Sequence, residues 1–150
     1  MRYLTGTHRS FTLEQVRQSY RQFAEDASRY DFAICLRDTD QLLGDMAILD
    51  IDRENHKAGF RIALHHHGAL NQGYGTEATR QALGIAFEEL KLNRLELEVF
   101  SHNRRGIRAY EKAGFMQEGV RRQALCMNGT YSDEILMGML REDYERVSSI

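Results

Sequence analysis

Apolar and polar positions along this chain follow two periods, and each change of period marks a new element. Leu13, Val16, Tyr20, Phe23 and Ala24 recur at helical steps, as on a helix with one apolar face. Thr12 before them and Gln15 three residues on make a capping-box pattern. A helix is therefore expected from Thr12 to about Ser28, after an irregular polar segment over residues 1–11. Phe32 to Leu36 is apolar throughout and reads as a strand. Leu42 to Asp52 and Ala58 to Leu64 read as two more. The turn clusters Asp38-Thr39-Asp40-Gln41 and Arg53-Glu54-Asn55-His56 are too short for crossovers, so these strands form an antiparallel meander.

The stretch Leu70-Asn71-Gln72-Gly73-Tyr74-Gly75-Thr76 then leads into a helical pattern from Glu77 to Leu90. Ala78, Ala82 and Ala86 lie on one line, which lets a helix sit close on a sheet. Leu83, Phe87 and Leu90 widen that face. Asn93 is expected as the left-handed stop. Arg94 to Phe100 alternates, with Leu95, Leu97 and Val99 on one face and Glu96 and Glu98 on the other. Strand, helix and strand in this order predict a βαβ unit with parallel strands. Asn103 caps a further helix that ends at Ala113, with Gly114 just beyond. Phe115–Cys126 and Thr130–Leu140 flank Asn128-Gly129, a strong hairpin signal. The charged tail, Arg141 to Ile150, is expected to fray. The whole reads as one α+β domain over residues 1–150, layered α/β/α, with a mixed, mostly antiparallel sheet.

Composition narrows the function classes. The chain has 150 residues, 42% of them hydrophobic and 28% charged, which suits one domain with a real core. The formal net charge of -2 gives no basic excess for nucleic acid or an anionic membrane. No apolar run approaches a membrane span, and the start, Met1-Arg2-Tyr3-Leu4-Thr5, lacks the apolar core of a signal peptide. Cys35 and Cys126 do not make a disulfide framework, so a cytoplasmic location is expected.

The glycine stretch carries candidate chemistry. Gly73 and Gly75 stand where a helix must begin. Glycine lets the backbone turn tightly and approach a ligand, and a helix start presents free N–H groups with a partial positive charge. Together these favour a phosphate. His65-His66-His67 shows no spaced ligand pair of the usual metal-binding kind and reads as a solvated loop. Glu96 with Glu98, and Arg121 with Arg122, read first as solvated faces.

Further on, Tyr110-Glu111-Lys112-Ala113-Gly114-Phe115 follows Asn103-Arg104-Arg105-Gly106-Ile107, and Glu118-Gly119 and Asn128-Gly129-Thr130-Tyr131-Ser132-Asp133 follow in turn. With the glycine stretch about thirty residues upstream, this resembles the GNAT N-acetyltransferase superfamily over roughly residues 2–143. The likeness is closest to its RimJ/RimL branch of protein-N-terminal and small-amine acetyltransferases. Three departures stand out. Leu70 occupies a position where the family often has Gln or Arg. Gly106 replaces the usual Ala, which costs a helix about 1 kcal/mol and could admit a close approach of cofactor. The family also opens with a strand and a helix for which there is too little chain before Thr12. That leaves Phe32–Leu36 as an apolar edge, so either the start lies upstream or a second chain covers it, as in a homodimer.

The resemblance implies transfer of an acetyl group from acetyl-CoA to a primary amine by direct attack. It implies that the backbone of Leu70, Asn71, Gln72, Gly73, Tyr74, Gly75 and Thr76 holds the pyrophosphate. Ile62, Ala63 and Leu64 would line a gap opening toward Leu95–Val99, where the pantetheine arm enters. Tyr110 would protonate the leaving thiolate. Asn103 would bond cofactor or neighbouring backbone, and Arg105 and Lys112 would meet the 3′-phosphate end. No metal is implied. Candidates for the base, by residue type only, are Glu96, Glu98, Asp45, Asp133 and His65. A non-catalytic acyl-CoA-binding or regulatory module of the same fold is the alternative. The acceptor amine is not named by these residues.

Overall fold

A computed structural model of the chain describes residues 2–65 and 67–150, without the side chains of Arg2, Tyr3 and His67. His66 and the ring of His67, both in the expected solvated loop, therefore lie outside the described residues. Six strands form one sheet: β1 (Tyr30–Cys35), β2 (Leu42–Asp52), β3 (Lys57–Leu64), β4 (Arg94–Phe100), β5 (Met116–Met127) and β6 (Thr130–Leu140). Their order is β1-β2-β3-β4-β6-β5. Only β3 and β4 run parallel, because a helix crosses between them; the meander and the Asn128-Gly129 hairpin pair antiparallel. β2, β4 and β6 keep their expected bounds, whereas β1 begins at Tyr30 rather than Phe32 and ends at Cys35, β3 begins one residue early, and β5 is shifted one residue on. β1 has one partner, β2, and forms an edge of the sheet.

The helices are α1 (Arg2–Thr5), α2 (Leu13–Glu25), α3 (Tyr74–Gly84), α4 (Arg104–Ala113) and α5 (Arg141–Ser148). α3 lies against the sheet along its alanine line: Ala78, Ala82 and Ala86 are buried with Phe87 among Ile48, Phe60, Leu95, Met137 and Met139. α4 adds Ala113, and Phe115 just after it completes the cluster. The opposite face of the sheet carries Asp31, Asp45, Arg61, Glu96, Glu98 and Glu134, joined by ion pairs. The sheet thus has one apolar face, covered by α3 and α4, and one charged face.

Several expectations need correction. Residues 1–11 are not wholly irregular, since α1 forms there and Gly6, at φ 65°, lies against the Phe100 ring. α2 has its capping box on Thr12 and Gln15 but ends at Glu25, short of Ser28. Asp26 stops it: its Oδ1 accepts from the Ser28 N–H at 2.8 Å and the Ser28 hydroxyl at 2.6 Å, a local bond that competes with helix. None of its apolar stripe is buried; Leu13 keeps 66% of its surface exposed. α3 starts at Tyr74 rather than Glu77, and its pattern continues through a π turn over Ile85–Glu89. The left-handed stop falls on Lys91, at φ 56°, not on Asn93. The Asn93 N–H is held instead by the His56 carbonyl at 2.7 Å.

The tail does not fray. Asp143 accepts from the Leu140 N–H at 3.0 Å, and Glu142 and Asp143 fill the first turn of α5, where a negative charge suits the dipole. The π turn supplies the anchor. Arg141 Nη2 donates to the Phe87 carbonyl within that turn and to the Leu92 carbonyl just past it, at 2.7 Å each. Tyr144 stacks on Phe87 with ring centroids 5.0 Å apart, and its hydroxyl donates to Glu88.

Candidate functional site

β3 and β4 pair at three positions only: Lys57 with Arg94, Ala58 with Leu95 and Gly59 with Glu96. Past that point each strand keeps its outer neighbour. β3 stays on β2 out to Leu64–Gly44, and β4 stays on β6 out to Phe100–Glu134. The sheet therefore opens into a cleft between residues 60–64 and 97–100, whose facing backbone groups do not pair with each other. Ile62, Ala63 and Leu64 all lie on the β3 bank and are half-buried.

The glycine stretch stands at the end of that bank. A Cβ on Gly75 would lie 3.5 Å from Leu64 Cδ1, so the start of α3 touches the end of β3. Asn71 at φ 62° and Gly73 at φ 83° turn the chain into the helix. Gly73 is the cap residue and offers no side chain to the first N–H groups of α3. Nothing lies within 4 Å of where its Cβ would stand, so there is open space at the positive end of an eleven-residue helix. Such a start suits a phosphate. Leu70 is half-buried, Gln72 is exposed, and Tyr74 and Thr76 are half-buried in the first turn.

α4 begins where β4 ends. Asn103 Oδ1 accepts from the Gly106 N–H at 3.0 Å, satisfying one free donor. The departure at Gly106 follows from that cap, because a Cβ there would come within 2.6 Å of Asn103 Nδ2. The glycine thus leaves room for the cap, where the sequence suggested room for cofactor. Tyr110 packs edge-to-face on Phe115, ring centroids 5.9 Å apart, and its hydroxyl has no hydrogen-bond partner among the described residues. Burial pushes its pKa up to about 12. Arg105 and Lys112 are exposed on α4. Arg104 and Arg105 together occupy the first turn, a position the helix dipole disfavours for cations.

The five candidate bases separate. Glu96 is tied to Arg94 at 2.7 Å and to Lys57 at 3.6 Å, beside the last paired position. Asp133 accepts from the Gln123 N–H at 2.8 Å in the hairpin. Asp45 and His65 sit together, Oδ2 to Nε2 2.6 Å. The other oxygen of Asp45 is buried and faces Arg61 Nη2 at 3.0 Å, an ion pair without hydrogen-bond geometry. His65, exposed and outside the strands as the loop reading expects, is also a partner of Asp45. Glu98 lies on the β4 bank of the cleft, half exposed, and accepts from Arg121 at 2.7 Å. Arg121, expected as a solvated face, also bonds Glu134 at 2.6 Å. Sequence reading missed Arg61, Arg104 and the role of Arg121. Only the cross-strand register brings Arg61 and Arg121 to their partners. Among the described residues no group of three or more His, Cys, Asp or Glu is placed to hold a metal ion.

Comparison with known proteins accounts for this arrangement. The family model described as an acetyltransferase (GNAT) domain matches residues 1–116. The chain is 32% identical over 142 residues to the probable N-acetyltransferase YjcK of Bacillus subtilis, covering 91% of this chain and 77% of that protein. It is 29% identical to the putative ribosomal N-acetyltransferase YdaF of the same organism, covering 93% and 72%. A crystal structure of spermidine N-acetyltransferase from Vibrio cholerae, in complex with CoA and spermine, superposes with a TM-score of 0.88 at 22% identity. It covers 96% of this chain and 84% of its own. At that identity the likeness speaks for the fold, and the same mixed sheet with its central βαβ unit is present. The sheet is opened between its two parallel strands with a bare helix start at the end of one bank, and the chain belongs to the GNAT acetyltransferase family as an acetyl-CoA-dependent N-acetyltransferase.

Proposed function

We propose that the chain is a single RimJ/RimL-like acetyltransferase domain that acetylates a primary amine, on a protein N-terminus or a small molecule, in the cleft between β3 and β4. The observation that carries this reading is the loss of pairing after Gly59 and Glu96. Unpaired backbone on both banks can hold an extended acyl-pantetheine arm as a strand would be held. The first N–H groups of α3 take the pyrophosphate, and the open space beside Gly73 fits it. Arg104 and Arg105, otherwise misplaced at a helix start, supply charge for a further phosphate.

In this reading Glu98 is the base. Of the candidate carboxylates it alone stands on a bank of the cleft beyond the last paired position. An ordinary alkyl ammonium has a pKa near 10, so a proton must leave before nitrogen can attack, and Glu98 accepts it directly or through water. Backbone N–H groups of the cleft polarise the acyl oxygen. As the nitrogen–carbon bond forms and the carbon–sulfur bond breaks, Tyr110 gives its proton to the sulfur. Leu70 takes part through its backbone, which tolerates its unusual side chain.

Calorimetry tests the donor half. Acetyl-CoA is expected to bind with a single-site isotherm and to release thiol when an amine is added. An absence of heat at millimolar ligand would sink the reading. We also propose that the chain self-associates as a homodimer through the bare edge of β1. A light-scattering mass near twice 17.4 kDa is expected, and a mass of one chain would remove that proposal.

A further inference from the structure

We propose that Arg121 is a positioning residue that holds the Glu98 carboxylate from the side away from the cleft and leaves one of its oxygens for the acceptor amine. This rests on the assignment of Glu98 as base above and concerns what fixes that side chain. Register puts Glu98 on β4, Glu134 on β6 and Arg121 on β5 on one face of the sheet, the charged one. Arg121 Nη1 donates to Glu98 Oε1 at 2.7 Å and to Glu134 Oε2 at 2.6 Å. That nitrogen carries two of the guanidinium N–H groups, one for each carboxylate. Oε2 of Glu98 accepts no hydrogen bond among the described residues. The sheet order puts β6 and β5 on the side of β4 away from β3. The guanidinium therefore reaches Glu98 across β6, behind the base, and does not stand between it and an amine in the cleft.

The holder is itself held. Glu134 stands opposite Arg121 in register and keeps only 16% of its side chain exposed, whereas Glu98 keeps 54%. Just past Arg121 the ladder is irregular as far as Leu125. Gln123 takes φ 52° there, and its N–H donates to Asp133 Oδ1 at 2.8 Å. Asp133 is tied in turn to the end of β4. Its N–H donates to Ser101 Oγ at 3.2 Å, and its carbonyl accepts from the Ser101 N–H at 2.9 Å. A bulge re-aims the side chains beside it, and this one is pinned next to Arg121. Asp133, a base candidate by type, thus serves the placement of Arg121. An untethered glutamate on a strand keeps several rotamers open, and few of them aim its carboxylate at one point in the cleft. Arg121 narrows that choice, and it also gives Glu98 and Glu134, like charges on one face, a shared cation. Ion pairs this exposed add little to stability, so the fold is expected to survive the loss of Arg121.

The test is a double-mutant cycle on turnover. Thiol release from acetyl-CoA is measured with spermidine, a free α-amino acid and a short peptide, and the cycle uses whichever the native chain turns over fastest. The variants are Arg121→Gln, Arg121→Lys, Glu98→Gln, and Glu98→Gln combined with Arg121→Gln. Glu98→Gln is expected to lower kcat by about 10²-fold or more, as removal of a general base does. Arg121→Gln is expected to lower kcat by about tenfold through misplacement of the base, with acetyl-CoA affinity unchanged. Arg121→Lys keeps the charge and recovers part of that loss. With Glu98 already replaced, Arg121→Gln changes kcat by less than about twofold. The same cycle run with Arg121→Lys reads the coupling if Arg121→Gln does not fold. Native kcat in Arg121→Gln, beside a disabled Glu98→Gln, overturns the inference and leaves the base assignment standing. So does an Arg121→Gln loss that persists undiminished in the Glu98→Gln background, as a merely structural role would give. Native kcat in Glu98→Gln overturns the base assignment and the inference with it. No turnover with any of the three amines overturns the inference together with the amine-acetylating reading beneath it.

Discussion

Tyr110→Phe is expected to lower kcat by about 10²- to 10⁴-fold, the usual contribution of a positioned general acid, with little change in acetyl-CoA affinity. The argument is one of proton supply. A departing thiolate is a poor base in water but a costly charge inside a half-buried cleft, and the Tyr110 hydroxyl is a donor with no protein partner to give up first. Its pKa, pushed up to about 12 by burial, keeps it protonated wherever the enzyme works. The loss should therefore be uniform with pH below about 10, and the shape of the kcat profile should not change. The same shift has a sign for stability. With the folded value above the ordinary 10.0, Tyr110 favours the fold fully below that pH, and the contribution is lost as pH rises toward 12. Alkaline unfolding of Tyr110→Phe should lack this component. Rapid-quench turnover with parallel calorimetry checks the first part. A variant with unchanged kcat would remove Tyr110 from the acid role.

The second large effect lies in the sheet. Gly44→Ala should destabilise the fold by about 3 kcal/mol or more, the upper range for overpacking a filled site. Gly44 pairs with Leu64, and a Cβ on it would stand 2.1 Å from the Ala63 carbonyl oxygen. The obstacle is backbone, so no rotamer relieves it. The strand must shift instead, and Leu64 with it, which loosens the bank of the cleft where β3 meets α3. Urea unfolding should show the lower midpoint, and acetyl-CoA should bind more weakly in the folded fraction. Native stability in Gly44→Ala would mean that β2 and β3 are not held in this register.

Much of the fold could be read from residues that act locally. Asn128-Gly129 makes its turn through its own backbone preferences, Thr12 and Gln15 cap α2 within one turn, and the alternation of Arg94–Phe100 depends only on the pleat. The alanine line of α3 could be read for the same reason. What escaped depends on partners distant in sequence. α5 carries Glu142 and Asp143 at its start and Arg146 at its end, but its anchor is a pair of carbonyls more than forty residues earlier, Phe87 in the π turn and Leu92 just past it. No apolar run announced it. The stripe on α2 correctly named a helix and said nothing about what would cover it.

The site divides in the same way. The glycine stretch and Asn103 carry their geometry with them, and Tyr110 came through its motif. The charged face did not. Asp45 meets His65 across 20 positions, and Arg121 meets Glu98 across 23. Periodicity says that such residues face outward; only register says which of them meet. Gly106 shows the converse, a residue whose oddity in a helix is explained by the Asn103 side chain three positions away.

The parting of β3 and β4 also ties the strength of the fold to what fills it. Water satisfies the facing donors and acceptors of residues 60–64 and 97–100 when the cleft is empty, whereas in the function proposed above a bound arm pairs them and adds its binding free energy to the native state. With free acetyl-CoA at a hundred times its Kd the gain is about 2.7 kcal/mol. That is a sizeable share of the 5–15 kcal/mol or so typical of a domain. The metabolic supply of the donor would then set how long each copy of the chain survives unfolding and proteolysis, as well as how fast it turns over.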